Sequence, residues 1–139
     1  MSVASPETIR EDFEFLDDWE DRYRYIIDLG KQLAPMPDEL RVPANIVHGC
    51  QSQVWISHQL RDGRLQLILD SDAHIVRGLI AVVLSAFDDK LPGEVLDYDI
   101  EQLFDDLDLL RHLSPTRGNG LSAMVARIRQ VASEALVTT

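Results

Sequence analysis

One short stretch limits the fold of this chain more than any other. Val54, Ile56, His58 and Leu60 alternate with polar residues, Asp62-Gly63 follows, and Leu65, Leu67 and Leu69 resume the alternation. A period of two residues is that of a strand with one buried face, and Asp-Gly between two such runs is the strongest local signal for a hairpin. A two-residue type I′ turn sets Arg61 opposite Arg64, Leu60 opposite Leu65, His58 opposite Leu67 and Ile56 opposite Leu69. That register gathers the apolar side chains on one face and leaves Ser57, Gln59, Arg61, Arg64 and Gln66 on a wet one. The apolar face therefore calls for a cover of helices.

The rest of the chain supplies them. Ser5-Pro6-Glu7 reads as a cap, a proline at the first helical position and a first-turn acid, ahead of Ile9, Phe13 and Leu16. Asp17-Asp18 starts a second helix through Trp19, Tyr23, Ile26, Ile27 and Leu33, which Pro35-Met36-Pro37 ends; residues 35–43 read as loop. Asp70-Ser71-Asp72 offers capping oxygens to a third helix, apolar nearly all round from Ile75 to Phe87, which belongs at the centre of the domain. Gly78 inside it costs about 1 kcal/mol relative to Ala, which points to a closely approaching neighbour. "DYDIEQLFDDLDLL" keeps Ile100, Leu103, Phe104, Leu107 and Leu110 at helical spacing and reads as one solvated amphipathic helix. Residues 114–120 read as loop by composition, before a last helix from Leu121 to Ala135. Helices, one hairpin and helices again, without a strand-helix-strand repeat, give an α+β class with helices packed on one face of a small antiparallel sheet.

A chain of 139 residues that is 45% hydrophobic suits one core, so a single domain over 1–139 is expected. The net charge of -11 and the lack of any Lys/Arg cluster disfavour nucleic acid and anionic membrane as partners. "IVRGLIAVVLSAF" contains Arg77 and is well short of the roughly 20 residues a membrane span needs. The N-terminus shows no leader pattern, and the single cysteine forms no intrachain disulfide, so a reducing, cytoplasmic setting is expected.

That cysteine, Cys50 in "HGCQSQVW", is open to three readings: packing, metal ligand or nucleophile. Lone cysteines are commonly small buried hydrophobes. Here the thiol lies in a polar run without apolar periodicity at the mouth of the first strand, which suits a loop tip better than a core. A structural zinc site needs about four ligands and an iron-sulfur cluster several thiolates. His48, His58, His74 and His112 share no ligand-like spacing, so no metal is expected. A Cys-His hydrolase needs a base near the thiol, and His48, two positions away, is the candidate, with a plain loop residue as the alternative. Asp105, Asp106 and Asp108 read as a solvated face, and Gly118-Asn119-Gly120, which lacks the lysine of a phosphate loop, as a plain turn.

Four blocks, "WEDRYRYIIDLGKQL", "GCQSQVW", "DSDAHIVRGLIAVVL" and "HLSPTRGNGLSAM", in this order and spacing, resemble the SufE family of sulfur-acceptor proteins, which includes the related CsdE proteins. The resemblance implies helices against a short antiparallel sheet, a fold shared with iron-sulfur scaffold proteins similar to IscU. It implies that Cys50 accepts sulfur as a persulfide from a SufS-like, pyridoxal-phosphate cysteine desulfurase, stimulates that enzyme, and delivers sulfur to a SufBCD-like assembly complex. The cofactor then belongs to the partner, and this chain needs none. A CsdE-like relay to another acceptor, such as a tRNA-modifying enzyme, is the variant within this class; a Cys-His hydrolase and an inert structural module are the readings outside it. In the relay reading His48 or Arg117 stabilises the thiolate, Gln51 contacts the partner, and Asp72 either tunes the loop or partner contact or simply caps the following helix. Val47, Val54 and Trp55 are the expected apolar shelter for a tucked-in Cys50 loop.

Overall fold

The hairpin forms in the expected register. In the computed structural model, which describes residues 4–50 and 52–138, strands β1 (Val54–Arg61) and β2 (Arg64–Ser71) pair antiparallel, with Arg61 opposite Arg64 and Ile56 opposite Leu69. Asp62 and Gly63 both take positive φ, 55° and 78°, as a type I′ turn requires. Around the hairpin run α1 (Pro6–Glu14), α2 (Trp19–Lys31), α3 (His74–Phe87), α4 (Pro92–Asp97), α5 (Ile100–Asp106), α6 (Leu109–His112) and α7 (Pro115–Thr138).

The start signals at α1 and α2 act as read. Ser5 Oγ accepts from Thr8 N at 3.1 Å and Asp18 Oδ1 from Asp21 N at 2.9 Å. Helix α3 lies at the centre, with Ile80, Val82, Val83 and Phe87 wholly shielded, and burying each such side chain is worth roughly 1.5–3 kcal/mol. It packs along α2, beneath β2 and beside α7. At Gly78 the expected close approach is present: a Cβ there would lie 2.2 Å from the Ile26 carbonyl oxygen of α2. One hydrophobic cluster runs from Ile9 of α1 to Ala132 of α7.

Three expectations about the elements need correction. The acidic stretch is not one helix: Asp99 caps α5 by accepting from Gln102 N at 3.1 Å, and Asp108, in the left-handed region at φ 55°, separates α5 from α6. The loop read over 114–120 is the first turns of α7, because Ser114-Pro115 repeats the Ser5-Pro6 start; Ser114 Oγ accepts from Arg117 N at 3.3 Å and its carbonyl from Gly118 N at 2.9 Å. The outer face of the sheet is wet only toward the turn. At the other end residues 36–47 cross it, with two short 3₁₀ turns, Asp38–Leu40 and Pro43–Asn45, burying Trp55 and Asp70. Conversely, Leu60 on the apolar face is 42% exposed because the tip of the hairpin outruns the helices.

Asp70 is the polar centre of that crossing. Its carboxylate, 0% exposed, pairs with Arg77 of α3 and, at 2.6 Å, with Arg41, and it also accepts from Met36 N at 3.1 Å and Ser71 N at 2.8 Å. Arg77 donates further to the carbonyls of Gly30 and Leu33 at the end of α2, and Arg41 lies over the Trp55 ring, 5.3 Å from its centroid. One buried carboxylate thus joins α2, α3, β2 and the crossing segment.

Candidate functional site

The crossing segment leads straight into the cysteine loop. Val47 N donates to Val54 O at 2.8 Å, which brings the two ends of the cysteine loop together at the start of β1. Gly49 takes φ +95°, a conformation that suits glycine, and this turns Cys50 inward toward α7. The Cys50 thiol donates to the carbonyl oxygen of Gly120, Sγ to O 3.6 Å. A Cβ on Gly120 would lie 3.4 Å from Cys50 Cα and 3.5 Å from Sγ, ordinary contact distances, so the cysteine loop lies directly against this turn of α7.

Beside Sγ is a small cavity lined mainly by Val54, Val76, Leu79, Leu121 and Met124. Its free volume is about 20 Å³, and roughly 10–15 Å³ on that measure houses one water-sized sphere. There is room for about one more atom next to the sulfur. Of the expected shelter residues only Val54 lines it. Val47 is buried behind the loop and Trp55 lies under Arg41 on the opposite face of the strand.

The polar residues at the site divide. Arg117, in the first turn of α7, lines the same cavity, and its Nη1 is buried without a hydrogen-bond partner among the described residues. Among those residues it is also the only charged one in the lining. His48 is exposed on the loop, and the partner of the thiol is the Gly120 carbonyl rather than an imidazole, an arrangement unlike a Cys-His catalytic pair. Gln51 lies outside the described residues. Burial pushes the Cys50 thiol above its ordinary pKa, so the inward cysteine is held as a thiol.

Asp72 does not cap α3. The N-cap position of the helix is Ala73, which offers no side-chain cap, Ser71 Oγ accepts from Ala73 N at 3.2 Å, and Asp72 Oδ1 instead accepts from Gln53 N at 3.2 Å, tying the cysteine loop to the β2–α3 turn. Such a bond is worth about 1 kcal/mol. Asp72→Ala is therefore expected to speed amide exchange at Ser52 and Gln53 about fivefold while the melting temperature changes little. Unchanged exchange with a clear loss of stability would instead make Asp72 a structural cap.

Gly120, Leu121, Met124, Val76 and Leu79 complete the site without having been singled out beforehand. The available signal was the pair of glycines flanking Asn119, which as helical residues call for a packing reason. The corner before α7 is also fixed from outside: His112 stacks on Trp19 with ring centroids 3.9 Å apart, and its Nδ1 lies 3.1 Å from Asp108 O.

No group of three or more His, Cys, Asp or Glu among the described residues is arranged to hold a metal ion, and none of their helices is long and apolar enough to cross a membrane. The family model for SufE, an Fe-S metabolism associated domain, matches residues 7–132. The chain belongs to the SufE family. Its similarity to other SufE-family chains extends over nearly its full length. It is 48% identical over 136 residues to an uncharacterized SufE-like protein of Rhizobium etli, covering 95% of this chain and 92% of the other. It is 46% identical over 134 residues to an uncharacterized SufE-like protein of Rhizobium meliloti, covering 94% and 96%. Among solved structures, the solution structure of a hypothetical protein from Thermus thermophilus matches at TM-score 0.77 over 99% of each chain with 21% identity, which shows the shared fold. The SufE family links the chain to sulfur transfer in iron-sulfur metabolism.

Proposed function

We propose that Cys50 is a sulfur acceptor that takes the outer sulfur of a persulfide from a cysteine desulfurase, stimulates that enzyme by emptying it, and hands the sulfur on for iron-sulfur cluster assembly. The observation that carries this reading is the cavity beside Sγ, with mostly apolar walls and space for about one atom. A persulfide is open to cellular thiols and oxidants, and a carrier that hides its outer sulfur loses less of it between encounters.

The chemistry is thiol-disulfide exchange with one sulfur changing hands. The Cys50 thiolate attacks the outer sulfur of the donor's persulfide, a bond forms between Sγ and that sulfur, the donor's S–S bond breaks, and the donor cysteine leaves as thiolate. No oxidant or reductant enters. The inward thiol is protonated and half-buried, so the loop swings out to meet the desulfurase, with His48 and Gln51 as the residues that contact the partner. After loading, the unpartnered Nη1 of Arg117 is the group available to an anionic sulfur in the cavity. The chain needs no cofactor, since pyridoxal phosphate acts on the desulfurase, and it works in a reducing, cytoplasmic setting with a SufS-like donor and a SufBCD-like acceptor.

Desulfurase turnover on free cysteine tests this reading. Wild-type protein is expected to raise the turnover and Cys50→Ser, correctly folded, to leave it at the level of the desulfurase alone. A Ser variant that stimulates as well as wild type would overturn the proposal.

A further inference from the structure

The two edges of the hairpin end differently. A two-residue turn makes Arg61 and Arg64 a hydrogen-bonded pair, so Leu65 and Leu67 of β2, and Leu60 and His58 of β1, point their backbone N–H and C=O groups outward. On β2 three of the four are taken: Leu65 N donates to Lys90 O at 2.7 Å, Asp89 N to Leu65 O at 2.9 Å, and Leu67 N to Asp88 Oδ1 at 2.8 Å. On β1 the crossing segment pairs only at the start, where Ile46 bridges Trp55, and nothing among the described residues pairs with the outward groups of His58 and Leu60. His58, Gln59, Leu60 and Arg61 are all exposed. Beside them a groove of about 310 Å³ runs between the end of the hairpin and the last turns of α7, lined mainly by His58, Leu60, Leu65, Val131 and Ala135.

We propose that this edge is a self-association surface, on which β1 pairs antiparallel with β1 of a second copy of this chain about a twofold axis at Gln59. An open edge is a template for another strand, and a twofold contact requires one patch that complements itself. Centring the axis on Gln59 aligns the stretch from Ser57 to Arg61 with itself. It sets His58 opposite Leu60 of the second copy and Leu60 opposite its His58, two pairs whose outward groups exchange four hydrogen bonds. Directly opposite residues point to the same face, so each Leu60, 42% exposed in the single chain, enters the groove of the other copy beside His58 and α7. The product is a four-stranded antiparallel sheet with the helices of both copies on one face.

Charge permits the contact at this edge. The chain carries a net charge of -11, yet β1 contains no acidic residue, and the groove contributes one, Glu134. In this register Arg61 lies opposite Ser57 of the second copy. The two Arg61 residues are then about 14 Å apart along the strands, beyond the screening length of about 8 Å at physiological salt. Four hydrogen bonds and one leucine from each copy make a small interface, so the dimer is weak and forms only as concentration rises. The cysteine loop lies beyond the opposite end of β1, so both copies keep Cys50 free. The inference therefore stands apart from the sulfur-acceptor reading and holds whatever Cys50 carries.

Cross-linking of the whole chain reads the register directly. In a Cys50→Ser background, Gln59→Cys puts two thiols on the axis as a non-hydrogen-bonded pair with Cα atoms about 4.5 Å apart, within the span of a disulfide. Under mild oxidation at about 0.5 mM it is expected to form a covalent dimer roughly tenfold faster than Arg61→Cys, which is also exposed but about 14 Å from its counterpart. Equal rates, or no dimer from either, overturn the proposal. Sedimentation velocity from about 10 μM to about 1 mM is read alongside. Wild type is expected to move from 15.7 kDa toward twice that mass, and Leu60→Lys to stay monomeric, since a lysine on an edge opposes strand pairing. Ile68→Lys is the control: Ile68 is 39% exposed on β2, away from this edge, and the variant should associate like wild type. A wild-type chain that stays monomeric throughout, or a dimer that Leu60→Lys leaves intact or Ile68→Lys also abolishes, overturns the proposal as well.

Discussion

Asp70→Asn is expected to lower the unfolding free energy by about 3 kcal/mol, and with it the melting temperature by roughly 10 °C. The carboxylate is wholly buried and carries both guanidinium partners, Arg77 and Arg41, plus two backbone N–H groups. Asparagine keeps the volume but removes the charge, and its amide nitrogen presents hydrogens to groups that are all donors. The two arginines are then left partly buried beside a neutral side chain, and this uncompensated desolvation, more than the lost attraction, makes breaking a buried pair costly. Urea titration should show a lower midpoint with an unchanged slope. Because Asp70 also anchors Met36 and, through Arg41, the surface over Trp55, the crossing segment and the neck of the cysteine loop should lose amide protection first. A variant as stable as wild type would mean that the network contributes no net stability.

Gly78→Ala is expected to cost a comparable amount for a different reason. A Cβ at this position would sit 2.2 Å from the Ile26 carbonyl oxygen and 2.7 Å from its carbonyl carbon, and one on Gly30, across the same contact, 2.6 Å from Gly78 N. Two backbones meet there and neither is able to rotate away, so α2 and α3 have to separate. Overpacking typically costs about 1–3 kcal/mol and occasionally more, against which the better helix propensity of alanine returns about 1 kcal/mol. The net expectation is a loss of about 2–3 kcal/mol by thermal or urea unfolding. Gly93→Ala is the control: nothing lies within 4 Å of a Cβ there, so the substitution should be neutral or slightly stabilising. A Gly78→Ala variant no less stable than the Gly93 control would contradict the close approach of the two helices.

Gly78 was legible in sequence because a glycine inside an otherwise apolar helix weakens it, and close packing of a second backbone is what offsets that loss. The hairpin register was legible for a similar reason, since Asp62-Gly63 and the alternation on either side admit one pairing. Asp70 was not. A single Asp among Asp70-Ser71-Asp72 reads as a helix cap, and its burial depends on Met36 and Arg41 arriving with the distant crossing segment and on Arg77 turning back from α3. The same three residues misled about Asp72, whose carboxylate turns to the cysteine loop instead. Cys50 itself was legible from its polar neighbours and from the four family blocks. Its shelter was not, because the walls come from α3 and α7 and because Gly118 and Gly120 suggested a loop where tertiary packing sustains a helix. The start signal at Ser114-Pro115 was present but outweighed by that composition.

The central claim is that Cys50 carries sulfur as a persulfide. Non-reducing mass spectrometry of the whole chain, after incubation with a cysteine desulfurase and free cysteine, tests it most directly. The account predicts a gain of one sulfur atom that maps to Cys50, disappears on treatment with dithiothreitol and is absent from Cys50→Ser. A wild-type chain that keeps its original mass while the desulfurase is turning over, or sulfur found equally on the Ser variant, would contradict it.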